Sequence, residues 1–501
     1  MPSASPKYLL AIDQGTTSSR AILYDAEAAP LGLAQRPTTQ LYPQPGWVNQ
    51  DAGEIWRTTI DCCHEVITQT GIAPEQIAAI GVTNQRETAI LWDARTGMPV
   101  APAIVWQSRQ STPQVDGIAG RAMATEYQAI TGLVPDAYFS ATKIAWLFEH
   151  QPELRKRAEA GEIRFGTVDS WLMWNLSRGQ VHITDASNAS RTLLFDIRTR
   201  EWSDSLLADL NIPKQILPSV VGNCGHLFET DASLLGASIP VSGSAGDQQA
   251  ALFGQACFAA GEVKNTYGTG SFLLMNTGPE AMNSRHQLLT TIAWSISDRV
   301  TYALEGSIFV TGAAVQWLRD GLGMIKTSGE IEALAASVPD TGGVAFVPAL
   351  TGLGAPYWDA RARGAIIGLT RGTTAGHIAR ATLEAIAFLT CDVLDAMMLD
   401  AQLPIHTLKV DGGAAANDVL LQIQADLLGI AVVRPKNLET TAIGAAFLAG
   451  LGSGFWRDQR DVAHRWHGDR EFEPSISQDE RKSRRHLWRR AVERSRDWAI
   501  D

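Results

Sequence analysis

Residues 8–25 read YLLAIDQGTTSSRAILYD. An apolar run ends at Asp13, a glycine and four hydroxyl residues follow, and a second apolar run begins after Arg20. That spacing predicts a tight bend between two strands. A glycine bend leaves backbone N–H groups aimed one way with no ladder partner, which makes an anion site. Thr16, Thr17 and Ser18 add hydroxyl donors and Arg20 adds a cation, a set that matches a phosphate. Asp13 would repel a phosphate unless a cation stood between them. Mg²⁺ suits that place, because it takes carboxylate, water and phosphate oxygens together. The stretch is not a Walker loop: it lacks G-x-x-x-x-G-K-[ST], and it leads into a strand rather than a helix.

Two further bends have the same character. Thr266–Ser271 reads TYGTGS, and Asp411-Gly412-Gly413 precedes a helical pattern. Three such bends fit one nucleotide with several phosphates.

The elements that must position them follow from periodicity. Residues 8–25 predict a β-hairpin. IAAIGVT (77–83) and TAILWD (88–93) predict strands around the polar bend Asn84-Gln85-Arg86-Glu87. Residues 162–177 predict a strand running into a helix, and 121–160 read as helical. Beyond residue 240 come a strand, turn and helix (239–254), then strand, Gly-Thr-Gly bend, strand (261–278). Next is a strand, Gly-Gly turn and amphipathic helix (406–429), with Leu420, Leu421, Ile423, Leu427 and Leu428 as its apolar positions. Residues 441–454 predict a helix of small residues fit for close packing. The two halves echo each other, which predicts two related α/β domains with a cleft between them: 1–253, 254–455, and a tail 456–501 packed on the second. In the tail, Leu487, Trp488, Ala491, Val492 and Trp498 form an apolar stripe among arginines.

Composition narrows the class. A chain of 501 residues exceeds one ordinary core. A net charge of −11 argues against a nucleic-acid binder, which carries a basic face. The five cysteines, Cys62, Cys63, Cys224, Cys257 and Cys391, are odd in number and irregular in spacing, so neither a disulfide framework nor a thiolate zinc site is expected. MPSASPKYLLAID has no charged n-region and does not read as a signal peptide. No run of 18 apolar residues predicts a membrane span. A cytoplasmic, reduced protein is expected.

AIDQGTTSSR, GDQQAALFGQ, NTYGTGSF and VDGGAAAN resemble the phosphate and adenosine motifs of the FGGY family of sugar and polyol kinases, which shares the fold of actin and the chaperone ATPases. TNQRET, AIVWQSRQ, ALTGLGAPYWD and GAIIGLTRG narrow the resemblance to the branch that phosphorylates glycerol. It runs from about residue 7 to 455 with the motifs in order. It implies an α/β protein of two ribonuclease-H-like domains, with ATP and glycerol in the cleft between them, and ADP and sn-glycerol 3-phosphate as products. Relatives are dimers or tetramers, so a homodimer or homotetramer is implied.

Phosphoryl transfer to an alcohol needs a base, an in-line donor and charge stabilisation. Asp247, after a glycine at the end of a predicted strand, is the base candidate. It also suits the N-cap of a helix starting at Gln248. Alone, an adjacent Arg-Glu pair reads as surface and single aromatics read as core. The resemblance instead places Arg86, Glu87, Trp106, Tyr138, Asp247, Gln248 and Phe272 on the glycerol. It places Thr16, Thr17, Ser18, Arg20 and Thr269 on the phosphates, and Gly312, Gln316, Gly413 and Asn417 around adenosine and its phosphates. Asp13 would hold Mg²⁺ through water.

The chain also departs from the pattern. Some bacterial members of that branch carry a basic, glycine-rich loop that binds fructose 1,6-bisphosphate. Here ETDASLLGASIP (229–240) is apolar and acidic, so no such inhibition is expected. Others carry a phosphorylated loop histidine. His226 is nearby but not in the matching place, so that switch is expected to be absent. RKSRRHLWRR (481–490) has no functional counterpart in the pattern. Two other readings remain at this stage: a kinase for another polyol or ketose, and an actin-like nucleotide switch, which would need no acceptor base.

Overall fold

The protein is described by a computed structural model covering residues 7–121 and 123–499. Residues 1–6, part of the stretch that does not read as a signal peptide, lie outside the described residues, as do the last two of the tail.

One sheet of 13 strands organises the described chain. The first half supplies β1 (Tyr8–Gln14), β2 (Ser18–Tyr24), β3 (Pro30–Pro37), β4 (Ile77–Asn84), β5 (Cys224–Glu229) and β6 (Pro240–Gly246). The second half supplies β7 (Val263–Tyr267), β8 (Ser271–Gly278), β9 (Leu289–Ile296), β10 (Arg299–Ile308), β11 (Thr407–Asp411), β12 (Ala431–Pro435) and β13 (Gly468–Phe472). The order β3-β2-β1-β4-β6 recurs as β10-β8-β7-β11-β12. In each, three strands are antiparallel and two are added in parallel. This is the ribonuclease-H-like order, present twice. The halves meet where β5 touches β9 through Cys224 and Ile296.

Register sets the chemistry. Asp13 and Gln14 of β1 lie beside Thr83 and Asn84 of β4, and Asn84 lies beside Gly246 of β6. The carboxyl ends of three parallel strands thus bring Asp13, the 85–87 bend and Asp247 to one edge, where open α/β sheets bind ligands. In the second half Thr266 of β7 lies beside Asp411 of β11. The bends after them are therefore neighbours. Leu9 to Ile12 are fully buried, as expected of strands covered on both faces.

The two halves exchange helices. The helix Asp247–Gly254 leaves the first half and contacts β7 and β8 of the second. The helix Thr440–Gly452 comes from the second half and packs on β1, β4 and β6 of the first. Where they cross, a Cβ on Gly444 would lie 1.8 Å from Ala250 O, and one on Gly254 2.0 Å from Thr440 O. Only glycine lets the backbones approach so closely.

The region 121–160 is helical in three pieces, Ala124–Thr131, Ser140–His150 and Pro152–Glu159. The tail divides. Trp456 and Arg465 reach back to the first half, each donating to Ala26 O, while the helix Gln478–Ser495 sits on the second. Trp488, Ala491 and Val492 are buried there, with Trp488 stacked on Phe388. Leu487 and Trp498 do not join them: Leu487 is 37% exposed because the buried face of the helix runs through 488, 491, 492 and 495, and Trp498, beyond the helix end, is 70% exposed. The arginine run is a docking device. Arg481 donates to Asp426 O at 2.8 Å, Arg484 pairs with Glu384 at 3.4 Å, and Arg485 pairs with Asp395. Among the described residues no helix is long and apolar enough to cross a membrane.

In an open helix Gly→Ala stabilises by about 1 kcal/mol. At Gly444 the sign reverses: Gly444→Ala is expected to destabilise by about 1–3 kcal/mol through overpacking, read as a lower Tm.

Candidate functional site

The first bend is closed by Gly15 N–H donating to Ser18 O at 2.9 Å, while the Thr16 and Thr17 N–H groups have no acceptor among the described residues. Thr16 O is held by Gln50 Nε2 at 2.7 Å and by Thr38 Oγ1 at 3.1 Å. Ser18 Oγ accepts from Gln35 Nε2 at 2.9 Å, and Thr17 is exposed. The bend is thus a fixed nest with free donors. Arg20 Nη1 lies 2.6 Å from Glu439 and 3.9 Å from Asp13, so this cation already bridges to the second half. Burial pushes the Asp13 carboxyl up to about 7, against the pull of Arg20. A divalent cation beside it would restore its charge. No cluster of three acidic, His or Cys ligands exists among the described residues, which fits an ion held largely by a nucleotide's phosphates and water.

The second-half bends face this edge. Gly268 O and Thr269 O accept from the N–H groups of Gly312 and Ala313, both at 3.0 Å. The bend is thereby pinned to the helix Gly312–Asp320. A Cβ on Gly312 would lie 2.7 Å from Gly268 O, so this glycine serves the chain's own packing. Gly413 differs: a Cβ there would meet nothing within 4 Å. Its open face suits a ligand that approaches the backbone. Asn417 caps the helix Asp418–Leu428, its Oδ1 accepting from Leu420 N–H at 2.8 Å. Gln316 is exposed on its helix and makes no side-chain hydrogen bond among the described residues.

The edge beside Asp247 is built on buried charge. Arg86 is 2% exposed and donates to Glu305 through Nη1 at 2.6 Å and Nη2 at 3.0 Å. Its Nε lies 3.2 Å from Asp247 Oδ1, and Nη2 lies 3.3 Å from Tyr138 Oη. Arg191 donates to Glu87 Oε1 at 2.7 Å and to Glu305 Oε1 at 2.9 Å. Burial alone would raise the Glu305 carboxyl, but Arg191 and Arg86 hold it at about 2. Burial raises the Glu87 carboxyl against the same two arginines. Glu87 also adopts φ 60°, a left-handed backbone that costs a non-glycine residue energy and that clusters at functional sites. Its carbonyl is held by Ser140 Oγ at 3.0 Å.

Asp247 begins its helix as the first helical residue, with Gly246 at the cap. It is therefore not the N-cap of a helix starting at Gln248: the strand runs through Gly246 and the helix starts one residue earlier. Asp247 Oδ1 accepts from Gln248 N–H at 2.7 Å, and Oδ2 takes no donor among the described residues. Burial raises this carboxyl, with Arg86 and Lys264 acting against it. Three aromatics line the same place. The Trp106 ring meets Tyr138 edge-on at 5.6 Å and Phe272 at 6.1 Å. Phe272 comes from the second half, so the wall spans both. Trp106 Nε1 donates to Thr16 Oγ1 at 2.8 Å, tying the wall to the phosphate bend.

Residues 8–254 match the model of the FGGY family of carbohydrate kinases, N-terminal domain, and residues 263–453 match that of its C-terminal domain. The chain belongs to the FGGY family of carbohydrate kinases. It is 58% identical to the glycerol kinase of Aromatoleum aromaticum, over 98% of this chain and 99% of that one. It is 56% identical to the glycerol kinase of Symbiobacterium thermophilum, over 99% of each. Its fold superposes on the crystal structure of Plasmodium falciparum glycerol kinase with ADP at a TM-score of 0.92, with 36% identity and 98% of each chain covered. A xylulose kinase from Lactobacillus acidophilus shares the fold at a TM-score of 0.87 and 21% identity.

Arg191, Glu305 and Lys264 did not emerge from the sequence. Their signal was a charge inside an apolar strand or turn, in YALEGSI, VKNTY and NASRTLLF; such a charge is buried only when paired or hydrogen-bonded. Removing one member of a buried ion cluster costs about 3–5 kcal/mol, and that loss is expected for Glu305→Gln in denaturant unfolding at neutral pH. With its folded value near 2 against 4.5 for the free group, Glu305 contributes fully above pH 4.5. The stability gap between wild type and variant is expected to close only as pH falls from 4.5 toward 2.

Proposed function

We propose that this chain transfers the γ-phosphoryl group of ATP to glycerol, giving sn-glycerol 3-phosphate and ADP. The observation that carries the reading is the convergence of Arg86, Glu87, Tyr138 and Asp247 on one buried ion cluster beside the Trp106–Phe272 wall. A three-carbon polyol has hydroxyls for the polar side and a thin hydrocarbon edge for the aromatic side. The full-length likeness to proteins named glycerol kinase supports the same acceptor.

In this reading Glu87 accepts hydrogen bonds from substrate hydroxyls through Oε2, which takes no donor among the described residues. Arg86, with its fork on Glu305, fixes Glu87, Tyr138 and Asp247 around the acceptor. Asp247 Oδ2 takes the proton of the attacking hydroxyl as the oxygen–phosphorus bond forms and the bond to ADP breaks. Its raised carboxyl suits a base that must become protonated. The Thr16, Thr17 and Thr269 bends hold the phosphates, with Ser18 and Arg20 at the same end. Gln316 and Gly413 face adenosine and its phosphates, and Gly312 and Asn417 shape that end through the bend and the helix they hold. Asp13 would hold Mg²⁺, which would supply neutralising charge to the phosphate oxygens. Residues 1–253 and 254–455 are the two bodies between which the substrates are enclosed, so that water does not compete as acceptor.

ADP release from Mg-ATP with glycerol, dihydroxyacetone, erythritol, xylulose and gluconate tests the acceptor. Glycerol is expected to give the fastest turnover; a faster ketose or aldonate would replace it. Loss of a positioned base typically costs about 10²–10⁴-fold in rate. Asp247→Asn is expected to fall by that factor while still folded at the assay temperature, with a Tm lowered by the loss of the contact to Arg86. A variant that keeps most of its kcat would remove Asp247 from the base role.

A further inference from the structure

Lys264 is fully buried in β7, at the seam between the two halves. Its ammonium donates to Gln248 Oε1, to Thr266 Oγ1 at 2.8 Å and to Phe272 O at 3.3 Å. All three partners are neutral oxygens. No carboxylate lies within ion-pair distance of it among the described residues, although Asp411, Asp247 and Glu305 act on it from farther off. Burying a cation without a paired carboxylate is costly. Packing therefore does not explain why a lysine is here.

Its partners do. Gln248 follows the base on the helix Asp247–Gly254 of the first half. Thr266 and Phe272 face each other across the hairpin that carries the Gly268–Gly270 phosphate bend of the second. An ammonium offers only donors, so the Gln248 amide must turn its oxygen toward Lys264. Its NH₂ then points elsewhere and takes no acceptor among the described residues.

We propose that Lys264 is a positioning residue for phosphoryl transfer: it locks the Gln248 amide so that N–H donors, not a carbonyl, face the reacting oxygens, and it ties the base's helix to the phosphate hairpin. The proposal rests on the kinase reading above and extends it to a residue that touches neither substrate. Donors suit oxygens that carry charge as the phosphoryl group moves; a carbonyl turned the same way would repel them. Burial lowers the ammonium to about 8, so it remains charged at neutral pH.

The test compares wild type with Lys264→Met and Lys264→Gln, measuring Tm and the kcat and KM for glycerol and Mg-ATP. A displacement near 1 Å at a reacting group can cost about 10²-fold in rate. Both variants are expected to lose kcat by about that factor, with each KM within about threefold of wild type. Lys264→Met is expected to lower Tm, because three buried acceptors lose their donor, and Lys264→Gln, whose amide can still donate, to lower it less. A loss of kcat that vanishes at assay temperatures well below each variant's Tm would make Lys264 a structural tie and overturn the assignment. So would a folded variant of either kind with wild-type kcat. Wild type that turns over no acceptor would instead overturn the functional reading, and this one with it.

Discussion

Glu305 sits between two guanidinium groups with no exposure to solvent, and the acceptor end is hung from that carboxylate. It comes from the second half, while Arg86 and Arg191 come from the first. Two parallel N–H···O bonds from Arg86 fix both distance and plane. Because the charges are buried, any displacement leaves one of them unpaired, at far greater cost than a surface contact. Arg86 carries the constraint to Asp247 and Tyr138, and Arg191 carries it to Glu87. The pocket is therefore rigid before any substrate arrives.

The same seam is tightened by backbone. Two helices are exchanged between the halves and cross at Gly254, Gly444 and Ala250 with no side chains between them. The crossing places Asp247 at the start of one helix. The ion pair of Arg20 with Glu439 stands at the start of the other. The strand order repeats in both halves, so each contributes bends at the carboxyl ends of its parallel strands.

Much of this was legible in the sequence, because it depends on local chemistry. The hairpin 8–25, the Gly-Thr-Gly bend and the small-residue helix before 454 follow from periodicity and glycine placement. Arg86 and Glu87 were legible as neighbours in one polar bend, but alone such a pair reads as surface; their burial depends on Glu305 and Arg191. What was not legible depends on partners distant in the chain. Glu305 and Arg86 are 219 residues apart, and no local pattern reports that they meet. Lys264 lies in the strand VKNTY, and no local pattern reports that Gln248 stands beside it. The start of the helix at Asp247 turned on where the strand ended, a difference of one residue. The arginine run 481–490 became intelligible once Asp426, Glu384 and Asp395 were seen beneath it. Leu487 and Trp498 suggested a wider apolar stripe than the helix buries.

The most direct measurement is a crystal structure with glycerol and ADP bound. The account predicts a terminal hydroxyl of glycerol within hydrogen-bond distance of Asp247 Oδ2 and another on Glu87, with the carbon chain against Trp106 and Phe272. The Arg86–Glu305 fork should be unmoved. Glycerol bound away from Asp247, or a fork that opens to admit it, would contradict the claim that the buried ion cluster pre-forms the acceptor site.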